Sequence, residues 1–367
     1  MNNIPATVAD FEEYARRTMN PGAFGFYIGG ADSEVTLRRN IEAYNNLLLR
    51  PKVMVDVEQV SIATSILGEK ISSPICVAPT AYHALAHHDG EIATARACAA
   101  VGTCFCQSTN SNYTMEQVAS SVPKEALRWF QIYVQEEQEI TQKLVKDCEK
   151  AGFKALVVTL DRPRLGKRLH VLRSGFTLPK HLSRANFHGD EENDGSVSYY
   201  HGEMYPGMTW KDIKYLKSIT KLPIVVKGIF REEDAELAIQ YGVDAIIVSN
   251  HGGRQLDSCP ATIEILPEIV AACKGTKVEV YMDGGIRTGT DVFKALAIGA
   301  RCVFVGRPAL WGLAYQGENG VKQVLNMLNY DFRLTMTLSG CSNVQEIDKS
   351  FIASAERYSF SHTLAKL

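Results

Sequence analysis

Residues 223–249 read PIVVKGIFREEDAELAIQYGVDAIIVS, a short apolar run, an amphipathic stretch and a second apolar run. The first run, 223–227, ends in a lysine; 232–241 has the length and patterning of a helix; 245–249 is apolar again. Strand, helix, strand at this spacing predicts parallel strands joined by a crossover. Strands that are apolar almost throughout are covered on both faces. The same rhythm extends outward in both directions. Apolar runs at 75–78, 104–107, 129–134 and 155–159 precede it, and runs at 278–282 and 302–305 come after it. Helix-like segments lie between them at 91–101, 137–151 and 290–298. Eight such strands predict a (β/α)8 TIM barrel, an α/β fold. The alternative, an open doubly wound sheet, lacks its G-x-G-x-x-G fingerprint after a first strand. The first 70 residues read as a helical cap, with a helix over 8–18 and a connector closing the bottom of the barrel. No internal repeat beyond the rhythm is visible.

Length divided by about 150 gives a soft prior of two to three domains, which the barrel reading reduces to one spanning 1–367, its core at about 74–320. The 367 residues are 46% hydrophobic and 22% charged, enough to bury a large core without staples. Lys and Arg number 39 against 41 Asp and Glu, a net charge of -2 that argues against a non-specific nucleic-acid binder. No stretch approaches about 18 consecutive apolar residues, so no membrane partner is expected. Residues 1–10 have neither a basic nor an apolar leader region, so no secretory signal is expected. The nine cysteines include no C-x-x-C pair. Cys104 and Cys106 alternate with Phe105 as packing residues of a strand do, and free thiols suit a reducing intracellular compartment. His87 and His88 have no ligand partner at metal-site spacing, so no metal is expected.

One interval breaks the rhythm. Residues 161–221 separate the fourth and fifth strands, and 180–205 are polar, with Gly189, Gly195, Gly202 and the acidic run 190–192. A structureless loop of that length is usually functional or disordered, so 161–208 is expected to be a long loop after strand four that acts as a mobile lid. The acidic run reads as a solvated face.

In such barrels chemistry sits at the carboxyl ends of the strands. The residues just past each strand are therefore informative. Strand one leads into Pro79-Thr80-Ala81 and strand two into Ser108; strand three carries Gln131 and Tyr133. Strand four ends Thr159-Leu160-Asp161, with Arg164 and Arg168 close behind. Strand five ends in Lys227, and strand six runs into Ser249-Asn250-His251-Gly252-Gly253-Arg254-Gln255-Leu256-Asp257. Strand seven leads into Asp283-Gly284-Gly285-Ile286-Arg287 and strand eight into Gly306-Arg307. The last two are where barrels bind phosphate. Gly284, Gly285 and Gly306 let backbone N–H groups approach an anion, and Arg287 and Arg307 add charge-assisted donors. Lys227 at a strand end is expected to be partly buried beside a negative charge, either a bound anion or a carboxylate such as Asp283 or Asp161. His251 with Arg254 and Arg168 pairs a base that titrates near neutrality with planar carboxylate clamps. That set suits a small anionic substrate losing a proton.

The segment 249–257, with Ala78-Pro79-Thr80-Ala81, Trp129-Phe130-Gln131-Ile132-Tyr133-Val134, Pro163-Arg164-Leu165-Gly166-Lys167-Arg168 and Asp283-Gly284-Gly285 in the same order, resembles the FMN-dependent L-2-hydroxy acid oxidase family, with its glycolate, lactate and long-chain branches. The resemblance runs nearly the whole length of the chain. It implies FMN as cofactor, lined by Pro79, Thr80, Ala81, Ser108, Gln131, Thr159, Lys227 and Ser249. Asp283, Gly284, Gly285, Arg287, Gly306 and Arg307 are then expected around its ribityl phosphate. It implies that Lys227 stabilises the reduced ring, that His251 takes a proton from a 2-hydroxy acid with Asp161 orienting it, that Arg168 and Arg254 grip the substrate carboxylate, and that Tyr133 meets the substrate hydroxyl. Removal of the hydroxyl proton with hydride transfer and removal of the C2 proton both stay open.

Two departures concern the substrate. Phe26, with Tyr27 beside it, stands where glycolate and lactate oxidases place a substrate-binding tyrosine, and Asn110 stands where glycolate oxidases carry a tryptophan. A lost hydroxyl donor is worth about 1–3 kcal/mol if its partner stays buried. Together they imply a roomier pocket for medium or longer L-2-hydroxy acids. The alternatives are glycolate or L-lactate as substrate, and a dehydrogenase with another acceptor. Ala81 resembles the oxidases, which implies O2 as acceptor and hydrogen peroxide as product. An FMN isomerase has no use for His251 with two arginines. A flavin-binding module without activity would show damage to this set, which is intact. The family forms homotetramers, and the same is expected here. Ala365-Lys366-Leu367 is a variant of the Ser-Lys-Leu peroxisomal address, which implies an import receptor and a peroxisomal enzyme in a eukaryote, a cytoplasmic one otherwise.

Overall fold

The computed structural model describes residues 5–187 and 205–358. Eight parallel strands close into a barrel: β1 (Ile75–Val77), β2 (Phe105–Ser108), β3 (Arg128–Ile132), β4 (Leu156–Thr159), β5 (Ile224–Ile229), β6 (Ala245–Val248), β7 (Glu279–Asp283) and β8 (Cys302–Val305). Each lies within two residues of its expected place. The ring closes where β8 pairs with β1, Phe304 opposite Cys76. Helices such as Gly90–Val101, Gln138–Lys150, Glu232–Gln240 and Gly289–Ile298 cover the outside.

Alternation along the strands divides the core in two. Outward-facing Ile75, Val77, Phe130, Val158 and Val226 pack under the helices. Inward-facing residues form a separate cluster that includes Cys76, Cys104, Cys106, Trp129, Ala155, Val157, Val225, Ala245, Ile247, Tyr281, Cys302 and Phe304. Three large rings share this interior with thiols and alanines. Trp129 lies 5.7 Å from Tyr281 and 5.6 Å from Phe304, centroid to centroid. Cys104 and Cys106 are thus packing residues, and all nine cysteines are free.

The bottom is closed by less of the chain than expected. A hairpin of Thr64–Ile66 and Glu69–Ile71 presses Ile66 and Ile71 into the interior cluster, and the Leu67 N–H donates to Glu279, the first residue of β7. The rest of the N-terminal segment lies elsewhere. Helix Val8–Thr18 runs along the barrel's flank, with Phe11 and Tyr14 packed edge-to-face against Tyr315 at 5.2 and 4.8 Å. Helices Pro21–Ile28 and Val35–Glu42 sit at the mouth. The expectation of a bottom cap is therefore corrected, and the reason is hydrogen bonding across the chain. The last carbonyls of Pro21–Ile28 have no helical donor, and Arg254 and Arg307, which lie past β6 and β8, donate to them. Asn40 and Asn250 exchange carboxamide bonds of 2.9 and 2.8 Å, which lock the second helix over β6.

The interval after β4 is not a plain loop. It contains a short helix, Leu169–Ser174, and ends in helix Trp210–Ile219, started by a Thr209–Asp212 capping box. Residues 188–204, the middle of the expected lid, and the terminal Ala365-Lys366-Leu367 lie outside the described residues. Among the described residues no helix is long and apolar enough to cross a membrane.

Candidate active site

Two residues beyond the apolar interior, the same inward-facing rows change character. Cys106 is succeeded by Ser108, Trp129 by Gln131, Val157 by Thr159, Val225 by Lys227, Ile247 by Ser249 and Tyr281 by Asp283. All six of these polar residues are buried. Another two residues along the chain stand Asn110, Tyr133, Asp161 and His251. The strand period thus lifts one set of side chains out of the core and onto the floor of an open cavity.

Lys227 is the centre of this floor. Its Nζ lies 2.7 Å from Ser249 Oγ and 3.1 Å from Asp283 Oδ2. Burial alone disfavours its charge, but Asp283 and Asp161 outweigh that and hold its pKa above the usual lysine range. Of the two partners weighed for Lys227, Asp283 makes the ion pair, and Asp161 adds its field from further away.

His251 has a left-handed backbone, φ 57, continued by Gly252 and Gly253 at 65 and 72. Such a conformation is uncommon for a residue with a Cβ and is held here by its surroundings. The His251 N–H donates to Ser249 Oγ, and Nδ1 lies 2.8 Å from Asp161 Oδ1. Burial pushes the Asp161 carboxyl up, but His251 and Lys227 outweigh it and leave the acid ionised, below its usual range. Burial lowers the His251 imidazole to about 4 against the pull of Asp161. A neutral imidazole that donates Nδ1–H to a carboxylate has its Nε2 lone pair free, which makes it a base.

The arginines divide by tether. Arg254 Nη1 donates to the carbonyls of Phe26, Tyr27 and Gly29 at 2.8–2.9 Å, and its guanidinium sits 5.3 Å from the Phe26 ring. Arg168 Nε donates to the Arg254 carbonyl and Nη2 to Gln255. Both line the cavity with Phe26, Asn110 and Tyr133. Arg307 donates from Nε to Tyr27, from Nη1 to Gly252 and from Nη2 to Gly29. Each Nη keeps a second N–H, so Arg307 secures the N-terminal cap as well as facing the cavity with Arg287.

Two expectations about individual residues change. Gly284 and Gly285 have φ of 101 and 79, and a Cβ on Gly285 would stand 1.8 Å from the Asn40 carbonyl oxygen. These glycines let the cap pack on the turn, a role beyond anion approach. Gly306 is different: its Cβ would meet only the Thr80 methyl, at 3.4 Å, so this side of the cavity is open. Thr159 does not reach the main cavity wall. It faces a second cavity between β4 and β5 that also borders Trp210 and Met208. Gln131 and Ser249 stand one step behind the wall, bonded to Ser108 and Lys227. Pro79, Thr80, Ala81, Ser108, Lys227, Asp283, Gly284, Gly285, Arg287, Gly306 and Arg307 line the cavity together.

Some wall residues are absent from the sequence reading. Tyr82, with a left-handed φ of 58, faces the cavity, and its carbonyl accepts the Tyr27 hydroxyl at 2.6 Å. Phe176, Leu178 and Phe187 come from the interval assigned to the lid, and Arg162 sits beside Tyr133. His87, His88 and Asp89 lie close enough for their ligand atoms to fall within 4.8 Å of one another, but His87 Nδ1 already accepts the Asp89 N–H.

The floor has the donors and acceptors a flavin requires. Gln131 Nε2 and Asp283 Oδ1 are buried and have no protein partner, a costly state that a bound heterocycle relieves. The family model for FMN-dependent dehydrogenases matches residues 15–354. The chain belongs to this FMN-dependent family. Among curated relatives it is 48% identical over 355 residues to 2-hydroxyacid oxidase 1 of Homo sapiens, covering 94% of this chain and 95% of the relative. It is 47% identical over 352 residues to glycolate oxidase 3 of Arabidopsis thaliana, with the same coverage. A solved mandelate oxidase with (S)-4-hydroxymandelic acid superposes with a TM-score of 0.87 at 39% identity, covering 93% of this chain and 97% of that one. FMN is the cofactor of this family, and Lys227, Gln131, Arg287 and Arg307 are the residues here that suit its ring and phosphate.

Proposed function

We infer that this flavoenzyme oxidises an L-2-hydroxy acid longer than glycolate to the 2-oxo acid, with O2 reduced to hydrogen peroxide. Bound FMN supplies a two-electron acceptor that O2 can reoxidise. The chain's own residues do the rest. Arg168 and Arg254, tethered to backbone carbonyls and to Gln255, are preorganised to take the substrate carboxylate. Tyr133 faces the substrate hydroxyl. His251 Nε2 accepts the proton that leaves the substrate, and ionised Asp161 at 2.8 Å stabilises the imidazolium that results. Lys227 places a buried positive charge where negative charge develops. The observation that carries this reading is the neutral, carboxylate-backed His251 beside two tethered guanidiniums.

The preference for longer acids rests on the apolar side of the cavity, where Phe26 meets Phe176 at 5.2 Å and Tyr82 at 6.0 Å. Comparing kcat/KM for 2-hydroxyoctanoate and glycolate tests it; a higher value for glycolate overturns it. Peroxide formed per 2-oxo acid in air tests the acceptor, and a ratio near zero indicates a dehydrogenase instead. A homotetramer is proposed from the family resemblance, to be checked by sedimentation. Peroxisomal import through Ala365-Lys366-Leu367 in a eukaryotic host is proposed from the tripeptide, and a fluorescent fusion that stays diffuse with that terminus intact refutes it.

A further inference from the structure

Oxidation of a simple 2-hydroxy acid leaves part of the cavity's charge unused. Lys227 and Asp283 compensate each other at 3.1 Å, and His251 is neutral. Asp161 supplies a further carboxylate, 2.8 Å from His251 Nδ1. The guanidiniums of Arg162, Arg168, Arg184 and Arg254 also line the cavity. Burial, then the charges of Arg254 and Arg162, lowers the proton affinity of Arg168. Arg287 and Arg307 lie at the other end, on the turns assigned to the flavin phosphate. The clamp on one carboxylate uses Arg168 and Arg254, and Arg162 lines the same cavity beside them.

Arg162 is the member that the carboxylate clamp does not need. Arg168 and Arg254 are fastened by hydrogen bonds to Gln255 and to backbone carbonyls. Arg162 makes none among the described residues; its Nε is buried without a partner, and its Cζ lies 4.5 Å from the centroid of the Tyr133 ring. This contact holds the guanidinium over the ring and leaves its N–H donors unspent among the described residues. It also lines both the active-site cavity and the second one between β4 and β5, so it is reachable from the substrate side.

We propose that Arg162 is a specificity-determining residue that pairs with a second carboxylate on the substrate, so that L-2-hydroxy dicarboxylates are preferred over monocarboxylates of the same length. This rests on the proposed 2-hydroxy acid oxidation and names its substrate class. The test compares L-2-hydroxyglutarate with L-2-hydroxypentanoate on the holoenzyme. In parallel, the Kd of the unreactive analogues glutarate and pentanoate is measured by calorimetry. In the wild type the dicarboxylate is expected to lead by about tenfold or more in both kcat/KM and Kd, the scale of one charge-assisted contact. Arg162→Gln is expected to bring both ratios close to one, and Arg162→Lys to restore part of them. A wild-type ratio at or below one overturns the proposal. So does an Arg162→Gln effect that falls equally on both acids, which would make Arg162 a support for Tyr133 alone. If monocarboxylates reduce the flavin and dicarboxylates do not, only this proposal fails; if no L-2-hydroxy acid reduces it, the proposed oxidation itself fails.

Discussion

The two ends of this barrel are built from the same strands and differ completely in what they contain. At the bottom and middle, the inward rows carry cysteine, alanine, valine and three rings, closed by the hairpin that brings Ile66 and Ile71. One strand period higher, the same rows carry serine, glutamine, threonine, lysine and aspartate, and then asparagine, tyrosine, aspartate and histidine. The lower layers are apolar and fully packed, so they can hold the upper layer rigidly. A rigid upper layer can keep a lysine and an aspartate buried 3.1 Å apart with one carboxylate oxygen left unpaired. Function here is the top layer of a core, supported from beneath and roofed by the N-terminal cap.

The largest expected effect separates the layers by chemistry. His251→Gln should leave FMN bound and lower kcat by about 10²–10⁴-fold, the usual range for removing a general base. Stopped-flow reduction reads it. Next, a change below the site should do the reverse. Trp129→Ala removes a fully buried ring between Tyr281 and Phe304 and is expected to cost about 3–5 kcal/mol of stability. Chemical denaturation measures that loss, while the acid limb of the surviving enzyme's pH profile should not move. If Trp129→Ala shifts that limb, the layers are not independent.

A smaller effect is expected at the roof. Phe26→Tyr adds a hydroxyl to the cavity wall and should raise kcat/KM for glycolate relative to 2-hydroxyoctanoate by about tenfold, one hydrogen bond to an anionic group. The smallest concerns pH. Because burial lowers His251 to about 4, kcat/KM should hold level through neutrality and fall only on approach to that value. The sign for stability comes from the same depression. Below the ordinary histidine range the unfolded chain binds a proton that the native site refuses, so this residue's contribution is lost as pH falls toward about 4. An acid limb in the ordinary histidine range would place the titrating base elsewhere.

The strands were legible because parallel barrel strands are apolar on both faces and stand out as runs such as 245–249. For the same reason the layers were not legible. When both faces are apolar, alternation is hidden, and nothing in the chain shows that Val225 points inward and Val226 outward. His251, Arg254, Lys227 and the two glycine–arginine turns were legible because charge at a strand end has few uses other than a site. The position of the N-terminal cap was not, since it depends on backbone carbonyls meeting Arg254 and Arg307 more than 200 positions away. Arg162 and Phe176 were overlooked because they belong to the interval after β4, where no periodicity marks which side chains turn back into the cavity.

The central claim is that His251, standing on the barrel's polar layer, takes the proton of an L-2-hydroxy acid. Anaerobic mixing of the holoenzyme with L-2-hydroxyoctanoate tests it most directly, with the His251→Gln holoenzyme alongside. The expected result is rapid loss of the oxidised flavin's visible absorbance in the wild type and a nearly static spectrum in the variant. A wild-type flavin that no L-2-hydroxy acid bleaches, or a variant that bleaches at the wild-type rate, would contradict the account.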